Sequence, residues 1–190
     1  MKEYLSRNKM TISQAMIYFM LYSIIGWCYE VFLEVVIYRW GFTNRGVLFG
    51  PYTPVYGVGV LAFLLTVYPM LIGRSGKEKL MKMPVVFLAC MGIATALELF
   101  TSYLLEWTTG SWPWQTYADY EINFEARIAL NPSVRFGLGG VLFLYVLQPQ
   151  FERLCDMLGP KRTRIVAICL CVILCVDGGV LLAQKIMHIN

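Results

Sequence analysis

Charge is what this sequence has least of. Asp, Glu, Lys and Arg make up 15% of its 190 residues, where soluble domains carry about 25%. Histidine is scarcer still, with His188 the sole example, which argues against a histidine-ligated haem or metal centre and against any histidine-based triad. No GxxxxGK(S/T) loop is present, so the chain does not hydrolyse ATP by that route. Neither GxSxG nor HExxH occurs. The six cysteines form no CxxC pair. Five of them, Cys28, Cys90, Cys169, Cys171 and Cys175, lie in apolar runs, where free cysteine behaves as a small hydrophobe. No disulfide framework, metal site or other cofactor is expected. An enzyme would have to run on carboxylate acid–base chemistry, so the sequence leans away from one.

What is abundant is hydrocarbon. Hydrophobic residues reach 58%, against about 45–50% in soluble domains, and they gather in runs long enough to cross a bilayer, which takes roughly 20 residues. The runs predict an all-α, polytopic membrane bundle of about five transmembrane helices. They fall at about 12–38, 54–73, 84–106, 134–148 and 164–186, within a single domain spanning residues 1–190. The fourth is short, bracketed by Pro132 and Pro149, and is expected to begin earlier, near Ile128, or to be tilted or re-entrant. The first run is too long for a signal-peptide core and lacks a cleavage site, so it is expected to be retained.

The basic residues orient the bundle. Lys2, Arg7 and Lys9, then Arg74, Lys77, Lys79 and Lys82, then Arg153, Lys161, Arg162 and Arg164 share one side, eleven of the sixteen. Arg39, Arg45, Arg127, Arg135 and Lys185 fall on the other. The positive-inside bias puts the N-terminus in the cytoplasm and the C-terminus outside a plasma membrane crossed several times. The net charge of +4 then belongs to loops facing lipid headgroups, and no nucleic-acid partner is expected.

On this orientation the outer half carries the chemistry. Glu30, Glu34, Glu98 and Asp177 lie within or at the ends of apolar runs, and Glu106 ends the third. A charge near mid-membrane costs about 2.5–3.5 kcal/mol on the insertion scale, so these acids are expected to face protein or water. Glu30 and Glu34 share a helix face, as do Glu98, Ser102 and Glu106. Either they line an outward polar cavity that binds a cation or exchanges a proton, or they pair with Arg45, Arg127 or Arg135 and lock the outer loops down. The stretch from Asn44 and Arg45 through Tyr52 to Tyr56 and Gly57 contains two prolines that break any helix. Irregular backbone at membrane depth is tolerated only against protein or a water-filled cavity, so Tyr52 and Tyr56 are candidates to line one. The outer loop 107–133 holds Trp107, Trp112, Trp114, Tyr117, Tyr120 and Phe124 with Arg127. These are either an interfacial aromatic belt or a lid that stacks on a ligand. Acids beneath aromatics suit a cationic or polyhydroxyl small molecule. The small residues Gly26, Gly57 and Gly59, Gly92 with Ala96, and Gly137, Gly139 and Gly140 read as helix-packing positions, within the chain or in a homo-oligomer.

The motifs also carry a resemblance. Gly26-Trp27 with Tyr29-Glu30, then Asn44-Arg45-Gly46, Gly50-Pro51-Tyr52, Pro54, Tyr56-Gly57 and Glu98 to Glu106 resemble a bacterial family labelled CmpB-like putative ABC-transporter permeases (type IV). Vertebrate transmembrane proteins of unknown function are grouped with it. The resemblance covers roughly residues 14–150. The family pattern continues with a Trp-Trp-Asp-Tyr-Ser-like motif, an asparagine and Gly-Arg-Ile. Here the matching positions are Trp112-Pro113-Trp114 through Tyr117, Asn123 and Ala126-Arg127-Ile128, so the arginine is kept and the glycine before it is not. The resemblance implies a permease-like protein with a separate ATPase subunit.

Together these readings predict a small-molecule transport or substrate-capture subunit with an outward-facing polar cavity. Its candidate substrate-binding residues are Glu30, Glu34, Asn44, Arg45, Tyr52, Tyr56, Glu98, Ser102, Trp114 and Arg127. The alternatives are a proton-coupled dimeric carrier working through Glu30, a carboxylate-based membrane enzyme, or a structural or signalling membrane protein.

Overall fold

A computed structural model of the protein describes residues 10–44, 46 and 48–189. About four-fifths of them are helical. Helix α1, Ile12–Phe32, opens on a capping box in which Thr11 Oγ1 accepts from Gln14 N at 3.2 Å and Gln14 Oε1 accepts from Thr11 N at 2.9 Å. It runs on as one π-helical turn, Leu33–Ile37, and stops just before Arg39, whose φ of 56° leaves the helical region. Helix α2, Pro54–Thr66, begins on a proline, where a missing N–H costs nothing. A 3-10 turn, Tyr68–Met70, follows it. Helix α3, Gly76–Thr109, starts at a second capping box, Ser75 with Glu78, and ends at Gly110 with φ 81°.

Helix α4, Leu130–Leu142, passes through a π turn, Phe143–Leu147, straight into helix α5, Gln148–Ile189. The two prolines expected to bracket this segment do not end it. Pro132 falls in the first turn of α4, where its N–H would be unpaired anyway. Pro149 follows the π turn, whose wider register already breaks the usual hydrogen-bond ladder. The interruption comes instead at Gly159, with φ 70° and ψ 166°, just before Pro160. Thr163 Oγ1 there donates to Gly159 O at 2.8 Å and lies 3.3 Å from Cys155 O, so its hydroxyl spans the break.

Among the described residues, three stretches are long and apolar enough to cross a membrane: Ile12–Ile37, Gly76–Thr108 and Leu130–Gln184, while Pro54–Met70 is apolar but shorter. The third is 55 residues long; at about 1.5 Å per residue it exceeds twice the ~30 Å hydrocarbon core, so it cannot be one crossing. Their apolar side chains point outward. Leu88, Phe100, Val172 and Val176 are all more than half exposed, which suits lipid and not water.

The chain forms two compact units, residues 1–61 with 151–190, and residues 62–150. In the first, Tyr18 and Tyr22 are buried at the centre, and Tyr22 meets the Phe151 ring edge-on at 5.1 Å. The α1 and α2 backbones approach so closely at Gly57 that a Cβ there would sit 2.6 Å from Phe19 O. In the second, Gly137 lies against Phe87 and Gly140 against Cys90, so the small residues of α4 let α3 come close. Thr95 and Ser133 share a hydrogen bond across that seam at 2.8 Å.

The segment between α3 and α4 is more ordered than a bare loop. It holds a 3-10 turn, Gln115–Asp119, and an antiparallel hairpin of β1, Asn123–Phe124, with β2, Ile128–Ala129. The hairpin turns through Glu125 and Ala126 at φ 52° and 55°, positions that favour Asn and Gly. A non-glycine residue in this region costs about 1–2 kcal/mol. Ala126→Gly is therefore expected to stabilise the protein by about 0.5–1 kcal/mol, the strain relieved less the extra chain entropy of glycine. A thermal midpoint that falls instead would show that the turn is not strained.

Candidate functional site

The expected site residues divide between the two units. In the first, Glu30 on α1 accepts a short hydrogen bond from the Tyr56 phenol of α2. That pairing is built on Gly26, one turn earlier on α1, where a Cβ would collide with the Tyr56 ring. Glu34 lies in the π turn, 3% exposed, and accepts from Thr43 Oγ1 at 2.6 Å. Asn44 organises the irregular stretch: its Oδ1 accepts from Trp27 Nε1 at 2.9 Å and Gly46 N at 3.2 Å, and its Nδ2 donates to Leu48 O at 3.0 Å. Arg45 lies outside the described residues.

Tyr52 is 4% exposed and donates to Asp177 Oδ2 on α5. Asp177 also accepts from Phe49 N and Gly50 N, each at 2.9 Å. Burial, and then the acceptor Asp177, push the Tyr52 phenol up to about 12, so it stays a donor at any working pH. Two consecutive amides and a phenol thus converge on one carboxylate and tie the 46–53 stretch to the last helix.

In the second unit the polar face of α3 carries Thr95, Glu98, Ser102 and Glu106, and each meets a partner from beyond the helix. Ser102 is fully buried and its hydroxyl oxygen lies 3.5 Å from Arg127 Nη1. Arg127 Nη2 donates to Glu106 at 2.5 Å, and its Nε to Glu125 at 3.4 Å. Its guanidinium carbon sits 4.0 Å from the ring centres of both Tyr103 and Trp112. Burial opposes this charge, and the bond to Glu106 outweighs it, so the Arg127 pKa lies above its ordinary value. Trp114 is not stacked on the cation. Its Nε1 donates to Arg127 O at 2.8 Å, while Trp112 Nε1 donates to Ala126 O at 3.0 Å. The two tryptophans hold the turn by its carbonyls, and the turn presents the arginine.

Glu98 is the exception among these acids. Its Oε1 accepts from the Tyr117 phenol at 2.7 Å, but its Oε2 is buried and has no hydrogen-bond partner among the described residues. A buried carboxylate oxygen left unpaired is costly, and such groups mark places where a proton, a cation or a ligand's donor is accommodated.

Several members of these networks escaped the sequence reading as binding residues. Asp177 was visible as an acid in an apolar run, and Glu106 as the end of the α3 stripe. Thr43, Tyr103 and Glu125 gave no signal, because their roles depend on the π turn and on the hairpin. Trp27 and Tyr117 belonged to recognised motifs without an assigned partner.

A family model described as "Putative ABC-transporter type IV" matches residues 17–181. No curated protein and no solved structure matches the chain.

Proposed function

The chain belongs to the family described as "Putative ABC-transporter type IV", and from that premise we propose that it is a small-molecule transport or substrate-capture subunit. It sits in the plasma membrane with its N-terminus in the cytoplasm and its C-terminus outside, and works with a separate ATPase. Its ligand enters an outward-facing polar cavity lined by carboxylates and aromatics. The observation that carries this reading is Glu98, the acid of the α3 face with an unpaired buried oxygen. Glu34 and Asp177 are spent on holding backbone and side chains in place, and Glu106 on holding Arg127. Among them Glu98 alone has a buried oxygen that no described residue meets with a hydrogen bond. A cation or a hydroxyl donor is the chemistry that oxygen takes.

The absence of a phosphate loop from the sequence means that energy from ATP has to come from a partner. The test is purification of the tagged protein in a mild detergent, with mass spectrometry of everything retained. A stoichiometric ATPase is the expected companion. A clean homo-oligomer with no nucleotide-binding protein overturns the subunit reading.

A further inference from the structure

The first unit holds an acid whose surroundings its structural role does not account for. Beside Asp177 runs a groove of about 540 Å³, walled by Val172, Ile173, Val176 and Val180 of α5 and by Phe49 and Pro51 of the irregular stretch. That volume lies within the roughly 300–1,000 Å³ of small-molecule sites. Its walls are hydrocarbon, and Asp177 brings the charge. Two amides and a phenol donate to its oxygens, an arrangement that fits the ionised acid. Oδ2 takes two of the three donors and Oδ1 one, so Oδ1 keeps a free lone pair. Among the described residues no cation pairs with Asp177.

Pinning the loop explains the three donors. It does not explain a negative charge that no described cation offsets, beside an open apolar groove, which is a costly combination next to lipid. An anionic headgroup would be repelled there, and a sugar would find almost no polar wall. We propose that this groove binds a lipophilic organic cation, its positive centre against Asp177 and its apolar body along Val172, Val176 and Val180. The site uses none of the Glu98 network and stands whether or not an ATPase partner exists.

The experiment uses the full chain in lipid nanodiscs and two probes of one shape and opposite charge, tetraphenylphosphonium and tetraphenylborate. The phosphonium is expected to bind saturably and the borate only to partition. Asp177→Asn should weaken phosphonium binding at least tenfold. Val176→Trp, at a position 61% exposed, should do the same by filling the groove while the clamp stays intact. Equal saturable binding of both probes, or unchanged phosphonium affinity in Asp177→Asn, overturns the proposal. Should Asp177→Asn fail to fold, Val176→Trp decides: lost binding supports the site, and undiminished binding removes it.

Discussion

Arg127→Ala is expected to lower the thermal midpoint of the purified protein by roughly 5 °C or more, the largest loss of stability of any single change at these sites. One side chain joins Glu106 and Ser102 of α3, Glu125 of the hairpin, and the rings of Tyr103 and Trp112. Truncation strands Glu106 without its cation, opens space between two aromatic rings and releases the hairpin from the helix. Arg127→Lys should rescue little of this. A lysine keeps the charge, but it lacks the flat fork that reaches two carboxylates while stacked between rings. Full recovery with lysine would mean that charge alone holds the hairpin, and that the aromatic cage is incidental.

This arrangement also separates two meanings of the aromatic outer segment. A belt would turn its rings toward the lipid interface, and a lid would leave them free to cover a ligand. Trp112 and Trp114 do neither with their indole nitrogens, which donate to the carbonyls of Ala126 and Arg127. Trp107, 84% exposed on the last turn of α3, is the residue that fits the belt.

The helical class could be read from composition, because a chain so poor in charge and so rich in apolar runs has few other ways to satisfy its backbone in lipid. The starts of α1 and α2 fall where the apolar runs at about 12 and 54 begin, whereas α3 starts at Gly76, ahead of the run at about 84, because its first turns are polar and rest on the Ser75 capping box rather than on hydrocarbon. The junction of α4 and α5 was not legible. A proline reads locally as a stop, and the π turn that excuses Pro149 is a property of the folded helix. The sequence likewise marked Glu30 and Glu98 as unusual, since charge in an apolar run always is, and it offered Arg127 of the outer loop as one possible partner for the acids, a pairing Glu106 makes. It could not pair Glu30 with Tyr56 or Glu98 with Tyr117, because those phenols are brought in by turns whose geometry has no local code. The hairpin shows the same limit. Ala126 occupies a left-handed position, and only the backbone angle reveals what a residue other than glycine costs there.

The acids of α3 can be sorted by a change that separates binding from folding. Glu98→Leu alone removes the bare oxygen but takes the acceptor from Tyr117 Oη, which costs about 1–3 kcal/mol if nothing replaces it. Paired with Tyr117→Phe, the substitution removes both ends of the hydrogen bond and leaves apolar surface where an unpaired oxygen stood. Such double replacements are nearly neutral or stabilising, so the double variant is expected to stay within about 1 kcal/mol of the parent or to exceed it. The small molecule that the proposed role predicts for the parent, read by mass spectrometry of the purified protein, is expected to be absent from the double variant. That combination, stability kept and ligand lost, is what a site tuned for binding at the expense of the fold produces. A double variant that loses more than about 2 kcal/mol while retaining its ligand would place Glu98 with Glu34 and Asp177, as one more acid that ties the chain together.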